Sequence, residues 1–177
     1  MIYFITSNKH KYEEIKKLLR NIKMLSIPYP EIQTDKLEEV VLYALDYLKS
    51  KIKGNFFIED SGLFIKCLKD FPGVYSSYIF KKIGNEGILK LMENKKDREA
   101  YFASVIGYYD GKIHLFKGVC KGKIAKEEKG KNGFGYDPIF IPEGKRKTFG
   151  EMKIDEKNLY SHRSKALKKF IEFLKYS

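Results

Sequence analysis

Several residue types and patterns are scarce in this sequence, and each scarcity excludes a class of protein. The 177 residues include no Trp and only two cysteines, Cys67 and Cys120, which belong to no CxxC or Cys/His cluster. A disulfide framework and a structural zinc site are therefore disfavoured. No apolar run approaches the roughly 20 residues that span a bilayer, and residues 2–5 indicate a strand rather than a signal peptide. We expect a soluble cytoplasmic protein without a membrane partner.

Positive charge is what the sequence has in excess. Lys and Arg number 35 against 23 Asp and Glu, which gives a formal net charge of +12, and 43% of the residues are hydrophobic. That hydrophobic fraction is enough to bury a sizeable core. The charge could attract nucleic acid or an anionic nucleotide, or it could serve solubility alone, and composition does not separate these three.

The first third of the chain predicts the order strand, helix, helix, strand. A short strand is followed by a polar turn, and the next apolar residues recur at helical spacing, at Tyr12, Ile15, Leu18, Leu19 and Ile22. A second helix is predicted over residues 36–53, with Asp35 and Glu38 resembling a capping box. Residues 56–58 then predict a short buried strand that ends in a turn near Gly62.

The remainder of the chain adds a hairpin and two helices. Residues 101–109 and 114–119 predict two strands joined by a tight turn. A helix is predicted over residues 84–93, capped by Asn85, and the final helix begins near Ser161.

This order of elements predicts an α/β fold in one domain, residues 1–177. We expect a mixed β-sheet flanked by helices, with an added β lobe. A cleft between the two lobes is then the expected nucleotide-binding site, because ligands bind most often in such clefts.

A polar, basic turn follows the first predicted strand. The segment Thr6-Ser7-Asn8-Lys9-His10-Lys11 offers small polar side chains, N–H groups at a helix N-terminus and cationic side chains, which together favour a polyphosphate. It is not a Walker A loop, because the pattern GxxxxGK(S/T) is absent. The alternative is an ordinary helix cap by Asn8 with solvated lysines.

Two adjacent carboxylates are the candidates for metal chemistry. Glu59 and Asp60 are expected at the carboxyl end of a buried strand, where open α/β sheets bind their ligands. A pair of carboxylates suits Mg²⁺, which prefers oxygen ligands and retains water. Glu39 could project towards the same place from the second helix. The alternative is that the pair only caps N–H groups of a turn.

Aromatic and glycine residues alternate later in the chain. Phe134, Gly135, Tyr136 and Asp137 could hold a base, because bases stack on aromatic faces while backbone amides contact their edges. The alternative is a glycine-rich turn whose aromatic rings fill the core. Lys157 and the segment Ser161-His162-Arg163 form a second cationic group that could contact a base or a phosphate.

Five segments in this order closely resemble the inosine/xanthosine triphosphate pyrophosphatase family. They are Thr6-Ser7-Asn8-Lys9-His10-Lys11, Glu59-Asp60-Ser61-Gly62-Leu63, Phe71-Pro72-Gly73-Val74-Tyr75-Ser76, Asn132-Gly133-Phe134-Gly135-Tyr136-Asp137-Pro138 and Ser161-His162-Arg163. The resemblance implies an elongated α/β fold with a central cleft and a homodimer. It also implies a divalent-metal enzyme that cleaves a nucleoside triphosphate between the α and β phosphates.

The resemblance also assigns roles to individual residues. Phosphate would be held by Thr6, Ser7, Asn8 and Lys11. Asp60 would be a general base or a metal-bound carboxylate, Ser61 a substrate contact and Glu39 a metal ligand. The acidic pair itself also makes Glu59 a candidate metal ligand, and the choice between Glu39 and Glu59 stays open. The base pocket would comprise Phe134, Gly135, Tyr136 and Asp137, closed over by Lys157, His162 and Arg163. The family usually has Gly at the position of Ser7, where Ser fits if its φ is negative.

The leading hypothesis is therefore Mg²⁺-dependent hydrolysis of the non-canonical purine nucleotides ITP, dITP and XTP to the monophosphate and pyrophosphate. One alternative is a pyrophosphatase for pyrimidine or modified nucleotides. The other is a basic nucleic-acid-binding module, which would bind duplexes in a strongly salt-dependent way without turnover. The leading hypothesis expects no stable nucleic-acid partner.

Overall fold

The computed structural model describes all residues, 1–177, and contains seven strands and five α-helices. In chain order they are β1 (Ile2–Ile5), α1 (Lys9–Lys16), β2 (Ile22–Leu25), α2 (Leu37–Leu48), β3 (Phe56–Ile65), β4 (Phe71–Pro72), α3 (Ser76–Leu91), β5 (Glu99–Tyr109), β6 (Ile113–Ile124), β7 (Phe140–Pro142), α4 (Ile154–Lys157) and α5 (His162–Lys175). None of the helices is both long and apolar enough to cross a bilayer.

All seven strands belong to one mixed sheet, which confirms the predicted α/β class. Its order is β2-β1-β3-β5-β6-β7, with β4 paired to β3. β1 pairs in parallel with both β2 and β3, whereas β4 is antiparallel to β3 and β7 is antiparallel to β6. The predicted hairpin strands are present as β5 and β6, each longer than the sequence pattern indicated.

The chain forms two compact units. The first unit comprises Met1–Ser61, Ser104–Gly118 and Arg163–Ser177, and the second comprises Gly62–Ala103 and Val119–His162. The prediction of one domain over residues 1–177 stays a prediction.

The first unit has an aromatic core. Phe4 of β1 stacks on Phe57 of β3 with ring centroids 4.5 Å apart, and Phe170 of α5 packs on Phe57 at 5.2 Å. The apolar stripe of α2 is buried at Leu37, Val40, Val41, Ala44, Leu45 and Leu48. Ile52, predicted as its last member, lies beyond the end of the helix and is only partly buried. These contacts hold the helices of the unit to its strands.

The second unit has a separate core, and α3 packs against it. Buried residues of this core include Ile88 of α3, Phe102 of β5 and Phe140 of β7. The helix predicted over residues 84–93 is part of α3, which begins eight residues earlier, at Ser76, and is interrupted at Gly84 (φ 61°, ψ −165°).

The end of α1 was predicted too late. The helix ends at Lys16, and Ile22, predicted as its last apolar position, instead begins β2 opposite Ile2. An apolar residue three or four positions beyond a helical pattern is ambiguous, because the same side chain also suits a buried strand.

The cap of α2 was also predicted incorrectly. Its N-cap is Lys36, no side chain caps it, and Glu38 forms an ion pair with Lys117 at 2.7 Å instead of closing a capping box with Asp35. The helix ends at Leu48 rather than residue 53.

The predicted turn after residue 58 is absent, because β3 continues to Ile65. Glu59 and Asp60 therefore lie inside a ten-residue strand and not at its carboxyl end. The sequence pattern predicts a turn at Gly62. In the structure Gly62 lies within β3, and a Cβ at this position would lie 2.2 Å from the carbonyl oxygen of Gly73. Glycine in a strand here marks a close approach of backbone to backbone.

We predict that Phe170→Ala destabilises the protein far more than Phe173→Ala. Phe170 is fully buried among Phe57, Tyr108 and Phe116, and truncating such a side chain costs about 3–5 kcal/mol. Phe173 lies one turn later on α5 and is only partly buried. The free energies of unfolding in urea would measure both losses, and equal losses would contradict the assignment of this core.

Candidate active site

The turn between β1 and α1 is built by its own side chains. Thr6 Oγ1 accepts the N–H of Asn8 at 3.1 Å, and Asn8 Oδ1 accepts the N–H of Lys11 at 3.1 Å. Asn8 is therefore the N-cap of α1, as the alternative interpretation of this turn expected, and phosphate binding by the turn stays a prediction. Ser7 is exposed and is not among the non-glycine residues with positive φ, so serine fits this position without strain.

Lys11 connects this turn to the acidic pair on β3. Its Nζ lies 2.8 Å from Glu59 Oε2 and donates to the backbone carbonyl of Glu59 at 3.3 Å. The side chain is largely buried, with 16% of its surface exposed. One cation of the predicted phosphate turn thus reaches the predicted metal site within the first unit.

Glu59 is a fully buried carboxylate with several partners. Its Oε1 accepts the hydroxyl of Ser104 at 2.6 Å and lies 3.2 Å from Arg163 Nε, and its Oε2 pairs with Lys11. Burial alone would raise its pKa, but the charges of Arg163 and Lys11 outweigh burial and lower the pKa to about 2. Glu59 is therefore charged and held in ion pairs.

The pKa of Asp60 is shifted in the opposite direction from that of Glu59. It follows Glu59 on β3, is partly buried and accepts the N–H of Ser61 at 3.0 Å. Burial raises its pKa to about 6, and the negative charges of Glu59 and Glu31 add to the effect while Lys11 opposes it. A carboxyl with a raised pKa among like charges is a candidate functional group.

The neighbours of Asp60 include two residues that the sequence reading missed. Glu31 is near enough for its charge to raise the pKa of Asp60. Burial raises the pKa of Tyr29, to which the charges of Asp60, Glu31 and Glu59 contribute. Both precede α2 in a proline-containing loop, Pro28-Tyr29-Pro30-Glu31. A carboxylate in an irregular loop has no periodic pattern to reveal it.

Glu39 lies in the first turn of α2. Its carboxylate is half exposed, is hydrogen-bonded to Thr34 and lies 3.9 Å from Lys36. Its role as a metal ligand stays a prediction.

Arg163 is buried rather than presented at an open surface. Its guanidinium pairs with Glu14 at 2.6 Å and with Glu59, and it donates to Ser61 Oγ at 2.9 Å. Arg163 thereby orients the side chains that flank Asp60 on β3. The expectation that it closes over a base stays a prediction.

In the second unit, residues 134–137 form a tight turn. The Asp137 N–H donates to the carbonyl of Phe134 at 3.2 Å, Gly135 has φ of 59°, and Tyr136 has φ of −81° and ψ of 4°. These angles are those of a type II′ turn, in which glycine provides the positive φ. The N–H of Asp137 is thus used inside the turn, whereas those of Gly135 and Tyr136 donate to no group of the chain.

The side chains around this turn are tightly paired. Asp137 Oδ2 accepts the N–H of Phe134 at 3.1 Å and pairs with Lys157 Nζ at 2.7 Å. The same ammonium lies 5.0 Å from the centre of the Phe134 ring, which is only partly buried. The cation and the aromatic face predicted for base binding are therefore in contact.

Two other predicted base contacts lie in the core. The ring of Tyr136 packs edge-on against Phe80, and its hydroxyl donates to the carbonyl of Ser76 at 2.7 Å. The ring of His162 is buried and stacks on Phe102 with centroids 4.5 Å apart. Tyr136 therefore offers its backbone N–H, not its ring, at the turn.

The predicted site residues fall into two groups. The first unit contains Thr6, Ser7, Asn8, Lys11, Glu39, Glu59, Asp60, Ser61 and Arg163, and the second contains Phe134, Gly135, Tyr136, Asp137, Lys157 and His162. No three His, Cys, Asp or Glu side chains are arranged to hold a metal ion by themselves.

The comparisons with known proteins identify the class. A family model described as the Ham1 family matches residues 2–173. The chain therefore belongs to the Ham1 family, with the match covering nearly its whole length.

Relatives of this family are curated as pyrophosphatases. The chain is 59% identical over 179 residues to a dITP/XTP pyrophosphatase of Pyrococcus horikoshii, covering 98% of the chain and 96% of the relative. It is 52% identical to a dITP/XTP pyrophosphatase of Thermococcus kodakarensis, with coverage of 97% and 96%.

Solved structures share the fold. A HAM1 protein from Coxiella burnetii superposes with a TM-score of 0.84 at 31% identity and covers 99% of this chain and 98% of its own. The Ham1 protein of Staphylococcus aureus gives a TM-score of 0.86 at 26% identity, with coverage of 98% and 97%.

The paired state of Glu59 leads to a prediction about stability. Glu59→Gln leaves Lys11 and Arg163 facing a neutral amide, and breaking a buried ion pair in this way costs about 3–5 kcal/mol. The matched control is Glu38→Gln, which breaks an exposed pair with Lys117 and should cost less than about 1 kcal/mol. Urea unfolding would measure both. Similar small losses would contradict the structural role and return Glu59 to the candidate metal ligands.

Proposed function

We propose that this protein hydrolyses the non-canonical purine nucleotides ITP, dITP and XTP to the corresponding monophosphate and pyrophosphate. The relatives named dITP/XTP pyrophosphatases support the substrate class. The structural observation that carries the proposal is Lys11, which extends from the first turn of α1 to the carboxylate of Glu59 on β3. A phosphate-binding turn and a reactive carboxylate belong together in a phosphoanhydride hydrolase.

The reaction needs no covalent nucleophile from the protein. Water attacks the α-phosphorus and loses a proton, the bond between the α-phosphorus and the bridging oxygen breaks, and pyrophosphate leaves with the electron pair. Such a transfer depends on positioning and electrostatic stabilisation. Thr6, Ser7, Asn8 and the N–H groups at the start of α1 are proposed to orient the phosphates, and Lys11 to stabilise the charge that grows on the leaving group.

The residues around Asp60 suit a divalent cation such as Mg²⁺. Burial and neighbouring negative charge make an ionised Asp60 costly, and a bound cation would remove that cost. Glu59 is already paired with Lys11 and Arg163, so we propose Asp60 as the first protein ligand, with Glu31 and Glu39 as the candidates for a second carboxylate. Two carboxylates are typical of Mg²⁺ sites, in which waters and phosphate oxygens complete the shell. Such an ion supplies Lewis-acid stabilisation of the phosphates and activates water.

The base is proposed to bind at the turn of the second unit. The partly buried ring of Phe134 offers a stacking face, and the amide N–H groups of Gly135 and Tyr136 are available donors. Lys157 holds Asp137 and contacts the Phe134 ring, so its role is to maintain the turn. A homodimeric, cytoplasmic enzyme remains part of this proposal, as the family resemblance implies.

The decisive experiment is a product assay with the Asp60→Asn variant beside the wild type. Incubation of the wild type with ITP and Mg²⁺ should release pyrophosphate and no orthophosphate in the first turnover. Asp60→Asn should fold normally but lose at least about 100-fold in kcat, because an amide neither binds the cation as tightly nor accepts a proton. Orthophosphate as first product, or an active Asp60→Asn enzyme, would overturn the mechanism. Duplex binding without turnover would instead support the nucleic-acid alternative.

Base selectivity gives an independent prediction. Hypoxanthine and xanthine carry a 6-oxo acceptor for the N–H groups of the turn, whereas adenine carries a 6-amino donor. If the adenine amino group faces these N–H groups, donors meet donors, and each buried group left unpaired costs on the order of 1–3 kcal/mol. We expect kcat/KM to be highest for ITP and XTP and lowest for ATP and pyrimidine triphosphates, with little effect of the 2′-hydroxyl. GTP should lie between them; guanine also carries the 6-oxo group, so its lower value requires a further device against the 2-amino group. Equal values for ATP and ITP would show that the 6-oxo group is not recognised.

A further inference from the structure

One side chain of α3 contacts the backbone of the base-binding turn. Asn85 was predicted to cap a helix, but its Oδ1 has no hydrogen-bond partner and its only hydrogen bond is from Nδ2 to the carbonyl oxygen of Gly135, at 3.1 Å. The residue is 8% exposed and follows the break in α3 at Gly84. The orientation of the amide is fixed by chemistry, because a carbonyl oxygen only accepts and the NH₂ group must face it.

The unsatisfied oxygen of the buried Asn85 amide lowers the stability of the fold. A buried amide with an unsatisfied oxygen loses free energy that an apolar side chain of similar size would not lose. Packing therefore gives no reason for asparagine at this position. The one favourable interaction that the amide makes is with the Gly135 carbonyl.

The contact determines where the next N–H points. In a trans peptide the C=O and the N–H lie on opposite sides of the same plane. Fixing the Gly135 carbonyl towards α3 therefore turns the Tyr136 N–H away from α3, on the side where no group of the chain accepts it. The positive φ of Gly135 makes this peptide easy to rotate, so an external contact is needed to hold it.

Two more contacts from the same helix hold the turn. The Tyr136 hydroxyl donates to the carbonyl of Ser76, and the Tyr136 ring packs on Phe80. Both fix the Tyr136 side chain but leave the plane of the Gly135–Tyr136 peptide free. Asn85 acts on that plane directly.

We propose that Asn85 is a positioning residue for base selectivity, which holds the Gly135–Tyr136 peptide so that the Tyr136 N–H donates to the 6-oxo group of the base. This inference rests on the proposed function. It adds a residue outside every motif that the sequence reading singled out for base binding.

The test measures kcat/KM for ITP and for ATP in Asn85→Ala and Asn85→Asp. Alanine removes the donor, and aspartate keeps the shape but sets a carboxylate oxygen against the carbonyl. We expect the ratio of kcat/KM for ITP to kcat/KM for ATP to fall by about 10-fold to 100-fold, mainly through a higher KM for ITP. The fall should be largest in Asn85→Asp. The matched control is Glu86→Gln, an exposed neighbour on α3, which should keep the wild-type ratio.

Gly135→Ala provides a second route if the Asn85 variants fold poorly. A Cβ at Gly135 would meet nothing within 4 Å, so alanine adds strain at positive φ without a clash and should lower the same ratio. Equal loss of activity towards both nucleotides in these variants, with an unchanged ratio, would show that Asn85 is only structural and overturn the inference. Failure of the wild type to release pyrophosphate from ITP would instead overturn the proposed function.

Discussion

The buried carboxylate of Glu59 is the constraint on which the first unit depends. A charge inside a protein costs several kcal/mol unless it is fully paired. Glu59 lies on β3 and is paired by Lys11 of α1, Ser104 of β5 and Arg163 of α5, so these four elements must meet at one point. The same pairing leaves the next residue, Asp60, as the carboxylate that has no cation of its own.

In the second unit, uncharged groups of α3 hold the turn of residues 134–137. Ser76, Phe80 and Asn85 of α3 contact the turn of residues 134–137 at a hydroxyl, a ring and a carbonyl. The turn itself is closed by Asp137 and Lys157. These contacts fix the backbone of the turn, so the N–H groups of Gly135 and Tyr136 keep a fixed direction.

The sequence predicted the elements that have a periodic apolar pattern and the residues that belong to a short local motif. The stripe of α2 and the hairpin strands have clear periods, and the cap by Asn8 has a local signal. The continuation of β3 could not be predicted, because glycine at position 62 is equally typical of a turn. Gly62 instead allows a close approach to the backbone of Gly73, which lies eleven positions later along the chain. Glu31 was missed, because a carboxylate in an irregular loop belongs to no periodic pattern and its neighbours are set only by the fold.

Two aromatic residues in a single turn face different selective pressures. Tyr136 is tied into the core by its ring and hydroxyl, so almost any replacement would disturb folding. Phe134 is only partly buried and can vary with little effect on the core. If Phe134 stacks on the base as proposed, a substitution at the first position can change base preference while Tyr136 preserves the fold.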